Sequence, residues 1–129
     1  MIRPGLTFVL WLAIAVLVLV NDMIGDTFIA DRLPAIAIEW YKVLVPLPYV
    51  AMLAIIHARR TAGPRWFEAA LLAALLWPVS TMLVDFLYAR LTYDAEPAAF
   101  LDRFGGPYPL LVAGLFVLPL LAGLLCRQR

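Results

Sequence analysis

Cysteine and histidine each occur once, as Cys126 and His57, and Asp, Glu, Lys and Arg together make up only 15% of the 129 residues. A single cysteine rules out a disulfide framework within the chain. One cysteine and one histidine also rule out a Cys/His zinc site built by one chain, and a lone histidine rules out bis-histidine haem ligation. Ten basic and nine acidic residues leave a net charge of +1, so the balance points to no nucleic acid partner. Internal repeats and low-complexity segments are absent, as are HExxH, a phosphate loop, a dinucleotide fingerprint and a Ser-His-Asp set. Apolar residues take up the room, at 65% of the chain with a mean hydropathy of +0.94. Ordinary soluble domains hold roughly 45–50% apolar residues, so this composition belongs to the bilayer.

A hydrocarbon layer about 30 Å thick is crossed by roughly 20 helical residues. Four stretches qualify: about 5–24, 33–56, 66–88 and 104–126. Together they predict an all-α, single-domain membrane protein over residues 1–129. The first stretch ends in Val18-Leu19-Val20-Asn21-Asp22, without the small residues of a signal-peptidase site, and reads as a retained anchor. Arg3, Arg59, Arg60, Arg65, Arg127 and Arg129 fall on one side of such a bundle. The other side holds Arg32, Arg90 and Arg103 among Asp22, Asp26, Asp31, Asp94, Glu96 and Asp102. The excess of arginine predicts both termini in the cytoplasm. With short connections the expected arrangement is an up-down-up-down bundle in a bacterial inner membrane, with the lipid bilayer as its solvent.

Among the ten prolines, Pro46, Pro48 and Pro78 are the predicted helix kinks, and Pro119 is also intramembrane. Ala69, Ala70, Ala73 and Ala74, with Gly114, Ala122 and Gly123, give small-residue faces suited to close helix packing. They point first to packing within the chain and then to a homo-oligomer or a larger membrane complex.

Charges inside hydrocarbon cost at least about 2.5–3.5 kcal/mol on insertion scales and so are candidates for function. Asn21, Asp22, Asp26, Glu39, Lys42, Thr81 and Asp85 form the candidate polar cluster. Asp85 lies about 7.5 Å inside Arg90, and Lys42 about 12 Å beyond Pro34, so in this bundle they share the outer third. Glu39 and Lys42, three apart, are expected to pair with each other. Asp22 and Asp26, four apart, need a partner, for which Lys42, Arg32 and Arg90 are the candidates. Several readings of the cluster stay open. It is a set of interfacial charges with one structural ion pair, a cation or proton site of a small transporter, a Mg²⁺ site for lipid phosphate, or a ligand- or pigment-binding site. His57, beside Arg59 and Arg60, is expected to face headgroups. Cys126 is expected to fill the membrane edge, Trp40 and Trp66 to anchor the interfaces, and Trp11 and Trp77 to lie deeper. No catalytic, metal-binding or cofactor-binding set emerges.

Three runs, Asn21-Asp22-Met23-Ile24-Gly25-Asp26, Thr81-Met82-Leu83-Val84-Asp85-Phe86 and Asp102-Arg103-Phe104-Gly105-Gly106-Pro107-Tyr108, carry a resemblance to a group of small four-helix bacterial inner-membrane proteins of unknown function. In that group the first helix ends in Asn-Gly-x-x-Arg-Glu and the third in Thr-x-x-x-Glu-Phe, and Asp-Tyr-x-x-x-x-Gly-Arg-x-Trp leads into the fourth. Asn21, Thr81, Phe86 and Asp102 match outright, and Asp26 and Asp85 match in charge. The group's arginines are replaced by Gly25 and by the neighbourhood of Gly106 and Pro107. The resemblance marks the polar residues without giving them a task. The expectation is therefore a non-enzymatic membrane component or accessory subunit acting through helix association. The alternative is a small proton- or cation-coupled transporter.

Overall fold

The computed structural model describes residues 2–127, so Arg129, counted above on the basic side, lies outside the described residues. Among the described residues there are six α-helices: α1 (Pro4–Ile24), α2 (Ala35–Leu44), α3 (Pro46–Arg60), α4 (Trp66–Tyr93), α5 (Pro97–Asp102) and α6 (Tyr108–Leu125). A π-helical turn, Gly25–Ile29, extends α1, and a 3₁₀ turn, Arg103–Gly105, follows α5. Four stretches are long and apolar enough to cross a membrane: Pro4–Ile29, Ala35–Arg60, Trp66–Tyr93 and Tyr108–Leu125. The first three run four or five residues further than the sequence predicts. The fourth starts later, because the 3₁₀ turn and the Gly106-Pro107 step that follows it occupy its expected beginning.

Proline sets several boundaries. Pro4 and Pro97 open α1 and α5, where the missing N–H has no intrahelical partner to lose, and Pro34 and Pro107 precede α2 and α6. The second span breaks at Val45, immediately before Pro46-Leu47-Pro48, where the prolines withdraw two amide donors. Val45 keeps helical torsions, φ −67° and ψ −43°, so the interruption is a single residue long. Pro78 and Pro119 lie within continuous helix.

Side-chain contacts give the direction of each span. Thr7 meets His57 and Asp26 meets Lys42, so the first two spans run in opposite directions. Trp11 meets Thr81 and Asp26 meets Tyr88, so α1 and α4 run the same way. Asp85 meets Tyr108, while Gly123 lies against Ala70, which makes α4 and α6 antiparallel. Both α1 and α6 pack on α3 and α4, but among the described residues their backbones do not approach each other, and they occupy one diagonal of the bundle.

Ile14, Val18, Val43, Val50, Trp77, Leu111 and Leu115 fill the centre. Ala69, Ala70, Ala73 and Ala74 are all buried against neighbouring helices of the same chain. A Cβ on Gly123 would stand 2.9 Å from the Ala70 Cβ, so glycine there sets the approach of α6 to α4. Large apolar side chains such as Val16, Val79, Leu83 and Leu121 face outward, where lipid would meet them.

Candidate functional site

Asn21, Asp22, Asp26, Glu39, Lys42 and Asp85 lie toward the end of the bundle where α1 leads into its π turn, with Thr81 deeper against Trp11, and they divide by partner. The π turn carries Asp26, and its wider winding presents this carboxylate to α2 and α4. Lys42 Nζ donates to Asp26 Oδ1 at 2.8 Å. Tyr93 donates to Oδ2 at 3.0 Å, and Tyr88 donates to the same oxygen at 3.3 Å. Both Asp26 oxygens are therefore taken. Glu39 accepts from Arg103 Nε at 3.2 Å. The expected Glu39–Lys42 pair does not form, because each finds its partner on another element. Cross-helix partners bury the charges more fully than a pair along one helix face could.

Asp85, one turn beyond Thr81 on α4, is 1% exposed. Tyr108 donates to its Oδ2 at 2.6 Å, while its Oδ1 is buried without a hydrogen-bond partner. Asp22 is 2% exposed, and its carboxyl takes no hydrogen bond among the described residues. Asp85 is the charge that acts most strongly on it, followed by Lys42, Arg103 and Asp26. Asn21, also buried, directs its amide toward the Tyr41 carbonyl at 3.5 Å, a weak contact. Buried Thr81 accepts from Trp11 Nε1 at 3.3 Å.

Interfacial solvation therefore does not describe Asp22 and Asp85, which are enclosed by protein. The Mg²⁺ reading also loses its geometry, because the Asp26 oxygens are held by Lys42, Tyr88 and Tyr93. Among the described residues no three His, Cys, Asp or Glu side chains are grouped to hold a metal ion.

Two members of the site went unassigned in the sequence. Arg103 stacks its guanidinium 4.2 Å from the centre of the Tyr108 ring, so a guanidinium is present after all. Burial opposes the charge of Arg103, but Glu39, Asp85 and Asp22 outweigh it and hold the guanidinium above its ordinary pKa. Tyr108 is fully buried. The signal for both was the spacing of Phe100, Phe104 and Tyr108, four residues apart, whose rings meet edge to face across α5, the 3₁₀ turn and the start of α6. That stripe folds Arg103 back over the bundle.

A second polar group lies at the opposite end, where His57 is 1% exposed rather than facing headgroups. Thr7 Oγ1 donates to the Arg3 carbonyl at 3.0 Å and lies 2.7 Å from His57 Nε2. Trp77 donates to the Thr7 carbonyl at 3.1 Å and meets the His57 ring edge-on. The correction has a helical cause: His57 continues the face of Val50, Leu53 and Ala54 and turns inward despite its arginine neighbours. Trp77 is buried, Trp40 is exposed, and Cys126 packs at the edge of the core.

No protein-family model, curated protein or solved structure matches this chain.

Proposed function

We propose that this is a small multi-pass membrane protein that takes up and releases a positive charge at Asp22 and Asp85, as a proton- or cation-coupled component of transport in a bacterial inner membrane. One observation carries the reading. Once Lys42 is paired with Asp26 and Arg103 with Glu39, two buried carboxyls remain without a cation of their own. An unpaired buried carboxylate is costly enough that such a group either neutralises or takes a counter-ion. The distribution of arginine supports an orientation with this end of the bundle on the outer face and both termini in the cytoplasm.

The filled centre of the bundle favours a second reading, in which the chain is an accessory subunit. Trp77, Tyr108, Ile14 and Leu115 have no exposed surface, so a solute path requires another copy or a partner alongside. Lateral association through the outward apolar faces supplies such a contact in either reading.

Solute-driven proton or cation flux in proteoliposomes tests the first reading. Asp85→Asn is expected to abolish flux while expression and oligomeric state persist. Unchanged flux with both Asp22 and Asp85 neutralised removes it. A partner that copurifies with the chain and is unaffected by these substitutions favours the accessory role.

A further inference from the structure

We propose that the seam between α4 and α6 holds one anionic phospholipid at the arginine-rich end of the bundle, with an acyl chain in an apolar groove and the phosphate between Arg65 and Arg127. The proposal concerns the end opposite the acids and stands apart from the reading of Asp22 and Asp85.

The groove has a volume of about 340 Å³ and is lined by Trp66, Phe67, Val117, Leu120, Leu121 and Leu124. From Val117 to Leu124 it follows about 10 Å of α6, roughly two-thirds of one leaflet's share of a hydrocarbon layer about 30 Å thick. Phe67, Val117, Leu121 and Leu124 are exposed, so an acyl chain can lie along them. Half-buried Trp66 joins the two helices: a Cβ at Gly123 would stand 3.2 Å from its ring, and Phe67 meets that ring edge to face.

The charge at the mouth of the groove selects the lipid. Arg65 immediately precedes Trp66, and Arg127 follows Leu124 by three residues. The Gly63 amide donates to the Arg127 carbonyl at 3.3 Å, which brings the α3–α4 connection to the end of α6. Arg65 shares its charge with Glu68, both of them exposed, whereas exposed Arg127 has no ion pair among the described residues. Arg3, Arg59 and Arg60 lie at the same end, and among the described residues Glu68 is the only acid there. A zwitterionic headgroup brings no net charge to this mouth, but an anionic one brings a phosphate charge for Arg127 to meet. A second groove, of about 390 Å³, lies further along the same seam between Pro78, Val79 and Phe116 and reaches Phe104. Its walls are apolar too, but the arginine beside it, Arg103, is already paired with Glu39. Another copy of the chain suits the arginine-rich mouth poorly. Packed alongside about a two-fold axis, it would set its own Arg65 and Arg127 against these.

Native mass spectrometry of the full chain in a neutral detergent, titrated with phosphatidylglycerol or phosphatidylethanolamine of identical acyl chains, tests the proposal. One phosphatidylglycerol per chain is expected to stay bound, about fivefold or more tighter than phosphatidylethanolamine. Arg127→Gln is expected to remove most of that preference and leave phosphatidylethanolamine binding unchanged. Arg60→Gln, exposed at the same end but on α3, is expected to keep the preference. Leu121→Trp fills the groove and should weaken both lipids. Equal retention of the two lipids by the wild-type chain overturns the proposal. Equal losses in Arg60→Gln and Arg127→Gln mean a diffuse basic surface and overturn it as well. Competition by glycerophosphoglycerol, the same headgroup without acyl chains, shows a phosphate site that does not use the groove. A dimer that forms without lipid and dissociates in Leu121→Trp gives the groove to a second copy.

Discussion

Tyr108 and Tyr93 both donate to acids of the cluster, yet their loss should differ. Tyr108 gives Asp85 its one hydrogen bond, so Tyr108→Phe leaves a second carboxylate oxygen unpaired and is expected to destabilise the protein by about 1–3 kcal/mol. Tyr93 is exposed and shares Asp26 with Lys42 and Tyr88, so Tyr93→Phe should cost under about 1 kcal/mol. Unfolding in detergent, followed by circular dichroism, checks the order. At the other end Thr7→Val removes the hydrogen-bond partner of His57 Nε2 and should cost about 1–3 kcal/mol. Adding His57→Leu to Thr7→Val should cost less than the two separate losses combined, because the second change removes the orphan left by the first. Depth along the spans made Asp22, Asp26, Glu39, Lys42 and Asp85 legible as neighbours in the sequence. Their pairing was not, since it depends on how each helix is rotated about its axis. Lys42 could satisfy a three-residue spacing on α2, but the π turn offered it Asp26 instead.

Single elements show the same division. Lengths and apolar stretches located the four spans, and Pro46 marked the break in the second to within one residue. The π turn had no sequence signal, because an extra residue in a helical turn leaves composition and periodicity nearly unchanged over five residues. α5 lies in the connection before the fourth span, where six residues are too few to show a helical period. Close packing allows a sharper test. A Cβ at Gly114 would meet the flexible Leu47 Cδ2 at 2.5 Å, whereas one at Gly123 would meet the Ala70 Cβ, which cannot rotate away, at 2.9 Å. Gly123→Ala is therefore expected to destabilise the bundle by about 1–3 kcal/mol, and Gly114→Ala by less, despite its shorter nominal clash. Thermal unfolding of the two variants in one detergent decides between them.

For the whole molecule, a nearly neutral total hides a separation of charge. Asp94, 94% exposed after α4, and Arg65, 62% exposed before it, mark the two ends of the same helix. In a Cys126→Ser background, a membrane-impermeant thiol reagent should modify Asp94→Cys in intact cells and Arg65→Cys only after lysis. The reverse pattern would invert the orientation and put the acid pair on the cytoplasmic side.

Hydrogen bonds fasten α1 near both of its ends. Thr7 joins it to α3 and α4 at one end, and Asp26 joins it to α2 and α4 at the other. Pinned twice, α1 holds Asp22 between two fixed points. The segment from α5 through the 3₁₀ turn is tethered more lightly, by Arg103 to Glu39 and by its aromatic rings to Tyr108 and Phe86. Swinging that segment away would bare Asp85 and remove a nearby positive charge in one movement, leaving the rest of the framework standing.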